Sequence, residues 1–242
     1  LRCPDDAAAL ELLSRVGVPI VAASANRAGE PPPCRAEEVL EQLEGQVDVV
    51  VDGGTTRYAR PSTIVRVDGD RYELLRHGVY DERTVRRLAT VNLLFVCTGN
   101  SCRSPMAEGF CRKFLVELLG CRPDELAERG YRIASAGTMA CAGGGASQNA
   151  IAVCRQRDID ISGHVSQPLT VELINQADHI FTMCDHHTEA VLRMVPSARE
   201  RLARLDPSAE IEDPMGGDEA VYERCAKRIA EALSKRLKDL LL

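Results

Sequence analysis

The densest chemistry in the chain lies at Cys97-Thr98-Gly99-Asn100-Ser101-Cys102-Arg103-Ser104. A cysteine, five residues and an arginine place a nucleophile and a permanently charged planar fork within one turn of chain. The apolar run at 92–96 reads as a buried strand, and residues from about 105 to 119 read as a helix. A loop between such elements turns successive N–H groups inward and makes an anion nest at a helix N-terminus. Gly99 permits the close approach or positive φ that such a loop needs. The nest and the helix dipole favour a thiolate at Cys97, and Arg103 can grip two oxygens of a tetrahedral oxyanion. These are the requirements of thiol attack on phosphorus. The spacing alone also fits a buried cysteine with a chance arginine. The strand-to-helix setting, filled with Gly, Asn and Ser, favours the chemical reading.

Such a reaction needs an acid for the leaving group. Asp213-Pro214 is the candidate, since Met215-Gly216-Gly217 and a helix follow it, whereas Asp206-Pro207 looks like an ordinary turn start. His186-His187 is expected on a solvated loop, with no metal assigned. No C-x-x-C pairs with a second one, so the ten cysteines are expected as reduced thiols, one or two of them reactive.

Two α/β patterns must position these groups. The first has helices at 7–15 and 36–43, strands at 19–24 and 47–52, a hairpin of 62–67 with 72–76 around Asp68-Gly69-Asp70, and a short helix at 81–88. The second has strands at 92–96, 131–136, 179–183 and 201–205, and helices at 105–119, 151–157 and 219–240. Alternating strands and helices imply a parallel sheet covered on both faces. The boundary falls near 89–91. Residues 1–90 carry 12 basic and 15 acidic side chains, a net charge of −3, leaving −3 of the total −6 for the rest. Neither half has the basic excess expected of a nucleic-acid surface. The apolar runs are too short for a membrane helix, and no secretory signal opens the chain, so a cytoplasmic location is expected. A chain opening on Leu1 instead of Met is expected to be a fragment or a processed form.

The segment 91–242 resembles a low-molecular-weight protein tyrosine phosphatase. The matching features are C-x5-R-S at 97–104, S-A-G at 135–137, His164 and the D-P loop at Asp213, in order over essentially the whole segment. The resemblance implies a flavodoxin-like four-stranded parallel sheet with helices on both faces, and no cofactor. By it Cys97 is the nucleophile, Arg103 binds the phosphoryl group, and Asp213 is acid and then base. Thr98, Gly99, Asn100, Ser101 and Cys102 would line the phosphate loop, and Ser104 would donate to the Cys97 thiolate. Asn100, Ser135 and His164 would form a buried network that stiffens the loop. Cys102 would either pair reversibly with Cys97 or simply pack.

Tyrosine-directed members usually carry an apolar residue at the position of Ser101 and aromatics after D-P. Here Met215-Gly216-Gly217 follow, and aromatics are 4% of the chain, although Tyr222 offers one ring. The protein-arginine phosphatase branch, with C-T-G-N-T-C-R-S-P-M-A-E and D-P-x-G-G, is closer; Ser101 replaces its threonine. A phosphorylated protein is the expected partner, with phosphoarginine ahead of phosphotyrosine. Thioredoxin-coupled arsenate reductases share the fold and can carry C-T-G-N-S-C-R-S. Cys184 stands where the first of their relay cysteines belongs, but 185–192 contain no cysteine and Pro105 departs from their pattern. Cys184 is therefore read as a core thiol.

Residues 1–88 resemble the C-terminal half of a YrdC-like threonylcarbamoyl-AMP synthase domain, through P-I-V-A-A-S-A-N at 19–26, G-E-P-P at 29–32, V-D-G-G at 51–54, P-S-T-I-V at 61–65 and L-L-R-H-G at 74–78. The resemblance places Ser24, Asn26, Ser62 and Arg76 in a vestigial ATP/threonine site. The early Lys/Arg element that grips the triphosphate is missing, so adenylate formation is not expected. A nucleotide- or RNA-binding module, with the phosphatase half accessory, is the competing class. An uncovered sheet edge and apolar faces are expected in this half.

Overall fold

The computed structural model describes residues 1–2, 4–69 and 71–241, which divide into units Leu1–Thr84 and Val85–Leu242. The first unit holds α1 (Ala7–Arg15), α2 (Ala36–Leu43) and an antiparallel hairpin of β1 (Ile64–Asp68) and β2 (Arg71–Arg76). Asp6 Oδ1 caps α1 by accepting the Ala9 N–H at 2.8 Å. Gly69 takes φ +58° in the hairpin turn; Asp70 of that turn lies outside the described residues. α3 (Glu82–Leu88) spans the junction of the units.

The strands expected at 19–24 and 47–52 do not form. Among the described residues of this unit the hairpin is the only sheet, so neither segment has a ladder partner for its N–H and C=O groups. Val21, Val49 and Val51 are 98%, 76% and 71% exposed, and no described residue of 1–84 is buried. An apolar run becomes a strand only where a neighbour pairs with it.

The second unit is a layered α/β fold of β3 (Val91–Cys97), α4 (Arg103–Leu119), β4 (Tyr131–Gly137), α5 (Gln148–Arg155), α6 (Val171–Gln176), β5 (His179–Thr182), α7 (Asp185–Met194), β6 (Leu202–Arg204) and α8 (Glu219–Leu241). Helices α6 and α7 are additions to the sequence reading. The strands are parallel in the order β4-β3-β5-β6, with Phe95 opposite Ser135 on one side and Phe181 on the other. Successive β3 residues feed opposite cores. Leu93, Phe95 and Cys97 join residues of α4, α5 and α8, while Leu94 and Val96 join residues of α6 and α7. At Gly109 a Cβ would stand 2.8 Å from Ile159 and 2.9 Å from Ile161, so only glycine lets the 159–161 segment close on α4.

Chain order reverses at β3, whose next strand in sequence lies to one side and the following one to the other. The crevice at the carboxyl end of such a switch point is where doubly wound folds place ligands. Cys97 is the last residue of β3 and Arg103 the first of α4.

Candidate active site

Residues 98–102 turn from β3 into α4 within a few ångströms of several backbones. Asn100, not Gly99, takes the left-handed conformation (φ +52°), which asparagine tolerates better than most residues. Glycine is required instead at Gly137, the end of β4. A Cβ there would stand 2.5 Å from Thr98 O and 2.9 Å from Asn100 N. Thr138 and Met139 N–H groups donate to Cys97 O and Thr98 O, both at 2.9 Å, and Ser147 N–H donates to Ser101 O at 2.8 Å. The loop is thus held from outside by β4 and by the approach to α5. The Cys102 side chain at the head of α4 makes no capping hydrogen bond, so the first amides of that helix are left for the loop.

The hydrogens beneath the loop can be counted. Asn100 is fully buried; its Oδ1 accepts the Gln167 N–H (2.9 Å), which fixes the amide orientation. Both Nδ2 protons are then assigned, to Ser104 Oγ and Ser135 Oγ, each at 2.9 Å. Ser135 passes its own proton to Glu108 Oε2 at 2.7 Å. Ser104, an acceptor from Asn100, keeps its proton for Cys97 Sγ at 3.0 Å, and the Asn100 N–H reaches the same sulfur at 3.3 Å. His164 Nε2 and Ser166 Oγ meet the Asn100 carbonyl at 2.8 and 2.6 Å. The arrangement offers two hydrogen bonds to a thiolate at Cys97.

Arg103 is buried. Its guanidinium donates to Ile211 O (3.2 Å) and Thr98 Oγ1 (3.4 Å) and forms an ion pair with the half-exposed Asp213. Cys102 is buried with its sulfur 3.2 Å from the Tyr222 hydroxyl and 3.5 Å from Ser147 Oγ. Burial pushes the Cys225 and Cys154 thiols up to about 12 and Cys111 further, so these three stay protonated core groups.

Residues 92–241 match the family model described as low molecular weight phosphotyrosine protein phosphatase. The chain belongs to this family. The protein-arginine-phosphatase of Bacillus subtilis is 30% identical to this phosphatase over 158 residues, 62% of this chain and 97% of its own. The arsenate reductase of Halalkalibacterium halodurans is 35% identical over 147 residues, 60% of this chain and 91% of its own. A crystal structure of the tyrosine phosphatase Wzb from Escherichia coli K30 in complex with sulphate is 27% identical and matches with a TM-score of 0.55, covering 62% of this chain and 99% of that one. Residues 1–78 match a second family model, Sua5/yciO/yrdC, described as telomere recombination.

The phosphatase unit brings Cys97, Asn100, Ser104, Ser135 and His164 into one hydrogen-bonded cluster, with Arg103 and Asp213 paired beside it. Three expectations are corrected. His187 is not on a solvated loop: it lies in α7, 1% exposed, with Nε2 2.9 Å from Thr98 Oγ1. Cys184 is not a fully buried core thiol at a strand end; it heads α7, partly exposed, 3.1 Å from His187 Nδ1. Tyr222 supplies no open ring, being 4% exposed. Glu108, Gln167 and Ser166 also went unread. Glu108, one turn after Ser104 on α4, had the only local signal.

In the first unit, Arg76 donates twice to the Ser62 carbonyl, at 3.0 and 2.8 Å. Asn26 Nδ2 bonds its own loop at Arg27 O and Glu30 O, and Ser24 stands exposed. Among the described residues no hydrogen bond joins these two pairs. No helix there is long and apolar enough to cross a membrane.

Proposed function

We propose that this chain hydrolyses phosphoarginine in protein substrates, with catalysis confined to a phosphatase-like domain at 91–242 and a YrdC-like domain at 1–88 taking no part. The Cys97 thiolate attacks phosphorus, the S–P bond forms and the P–N bond breaks. Arg103 and the loop amides of 98–103 hold the equatorial oxygens. Asp213 gives its proton to the departing guanidine nitrogen. It then takes one from the water that attacks the phosphocysteine, releasing inorganic phosphate and free Cys97.

The Arg103–Asp213 pair must open for this. Once the guanidinium turns to the phosphoryl oxygens, the Asp213 carboxyl is released from the pair to face the leaving group. Support for Cys97 comes from the Ser104 and Asn100 donors at its sulfur.

The observation that carries the substrate choice is the location of the rings. A phosphotyrosine ring needs a flat apolar wall. Tyr222 is in the core and turns its hydroxyl to Cys102. The loops beside the site instead expose Met139 and Met215, 75% and 68% accessible. Flexible thioethers can adapt to the narrow stem of an arginine. Arsenate reduction is a second reading, favoured by the 35% identity to the Halalkalibacterium reductase and by Cys184; the gap in cysteines at 185–192 opposes it.

The deciding experiment compares phosphate release from phosphoarginine and phosphotyrosine peptides, with Cys97→Ser as the blank and a parallel assay for arsenite from arsenate plus thiol. Preferred cleavage of phosphoarginine, lost in Cys97→Ser, supports the proposal. Preference for phosphotyrosine overturns the substrate, arsenite formation without phosphatase turnover overturns the reaction, and activity in Cys97→Ser overturns the nucleophile.

A further inference from the structure

His187 belongs to no part of the reaction as derived, yet it is buried one hydrogen bond away from the phosphoryl clamp. It sits on α7, a scaffold helix, and its ring bridges two groups. Nδ1 lies 3.1 Å from Cys184 Sγ and Nε2 lies 2.9 Å from Thr98 Oγ1. The same Thr98 oxygen accepts from Arg103 Nη2 at 3.4 Å. Burial and the adjacent Arg103 charge push the His187 pKa down to about 4, so at neutral pH the ring has one N–H and one lone pair.

Two tautomers are possible, and the proton inventory separates them. With the proton on Nε2, both His187 and Arg103 donate to Thr98 Oγ1, and the Thr98 hydroxyl proton has no acceptor among these partners. With the proton on Nδ1, the one hydrogen left without an acceptor among these partners is the weakly donating Cys184 S–H. Arg103 donates to Thr98, Thr98 donates to His187 Nε2, and His187 Nδ1 donates to the Cys184 sulfur. A hydroxyl is a stronger donor than a thiol, so leaving the thiol proton over costs less than leaving the hydroxyl proton over, which selects the second arrangement.

We propose that His187 is a positioning residue for the phosphoryl clamp: by accepting the Thr98 hydroxyl proton it holds the Thr98 oxygen toward Arg103, and so keeps the guanidinium on the phosphate loop against the pull of Asp213. This rests on the reading of Arg103 as the group that binds the phosphoryl oxygens. Without the acceptor, the Thr98 hydroxyl rotates freely and Arg103 Nη2 keeps only its partner Asp213. The clamp must then be reoriented each time an oxyanion enters, so the loss falls on binding more than on the chemical step.

The test uses the full chain and inorganic phosphate as the probe, with its dissociation constant measured by calorimetry, and KM and kcat measured on the better of the two phosphopeptides. His187→Leu fills the volume but offers no acceptor. His187→Gln places an amide oxygen near the position of Nε2. Thr98→Val removes the middle of the chain. His187→Leu is expected to weaken phosphate binding and raise KM by about 3–10-fold, the worth of one hydrogen bond, with a smaller fall in kcat. His187→Gln is expected to recover most of that loss. On a Thr98→Val background, His187→Leu is expected to add nothing further, because both act through one oxygen.

Unchanged phosphate binding in a folded His187→Leu protein overturns the proposal. So do equal losses in the Leu and Gln variants, or effects of His187→Leu and Thr98→Val that simply add. If His187→Leu does not fold, the Gln variant and Thr98→Val decide: a Thr98→Val protein that binds phosphate as tightly as wild type overturns the proposal. A wild-type chain that binds phosphate but cleaves neither peptide fails the functional reading, while the phosphate measurements still judge His187.

Discussion

Asp206 and Asp213 both precede a proline, and only their surroundings separate them. Asp206 accepts from Ser208 N and Oγ (2.8 and 2.5 Å) and from Arg228 Nε and Nη2 (3.0 and 2.9 Å). The Ser208 hydrogen bonds, helped by Arg228, push its pKa down to about 2, so it has no proton to give near neutrality. Asp213 stands half-exposed beside Arg103. Asp213→Asn should therefore slow turnover by about 10²–10⁴. Asp206→Asn should leave kcat near wild type and lower the melting temperature; steady-state rates and thermal melts of both variants check this. His187 gives a second residue-scale expectation. An unfolded histidine ionises near pH 6.5, but this one only near 4 in the fold. Between those values the unfolded chain binds more protons, so stability is intact above pH 6.5 and falls as pH drops toward 4, by up to about 3 kcal/mol. Urea titrations at pH 7 and 4.5 should show this loss in the wild type and less of it in His187→Gln.

Among the elements, the loop from β3 to α4 depends most on what lies against it. Gly137→Ala would drive a Cβ into the Thr98 carbonyl and the Asn100 amide, backbone atoms that cannot swing aside. The loop must shift, and a displacement near 1 Å in a catalytic site costs about 10²-fold; kcat/KM of the variant, with its circular dichroism unchanged, measures it. Residues 97–104 were legible as a candidate site in the sequence because one contiguous turn carries both a thiol and a guanidinium between a strand and a helix. The strands were legible where both faces are buried, as in β3, since double burial writes a continuous apolar run. Helix α7 was not, because its first turn is Asp185-His186-His187, with no capping side chain to announce it. Glu108 was missed because α4 was read only as a helix, and Gln167 and His187 because they reach the site from segments whose pattern reads as loop. The runs at 19–24 and 47–52 misled in the opposite sense: their local pattern is right for strands, and the pairing partners are lacking.

At the scale of the molecule the two units differ sharply in burial. Residues 1–84 bury no described side chain, whereas Leu93, Phe95, Val96, Met106, Leu115 and Ile229 are at most 1% exposed. Amide hydrogen exchange should follow: amides of β3 and β5 should exchange at or near the rate of global unfolding, and those of 19–24 and 47–52 at nearly the rate of free peptide. Strong protection of 19–24 would refute this division. The uncapped head of α4 carries a last consequence. Seventeen residues of helix begin with no capping hydrogen bond to the Cys102 side chain, so an oxyanion entering the cradle would complete the helix as well as the reaction site. Free energy of binding is then also free energy of folding, about 2.7 kcal/mol when phosphate stands at a hundred times its dissociation constant. Inorganic phosphate added to the chain is therefore expected to raise its melting temperature through the same contacts that would occupy the site.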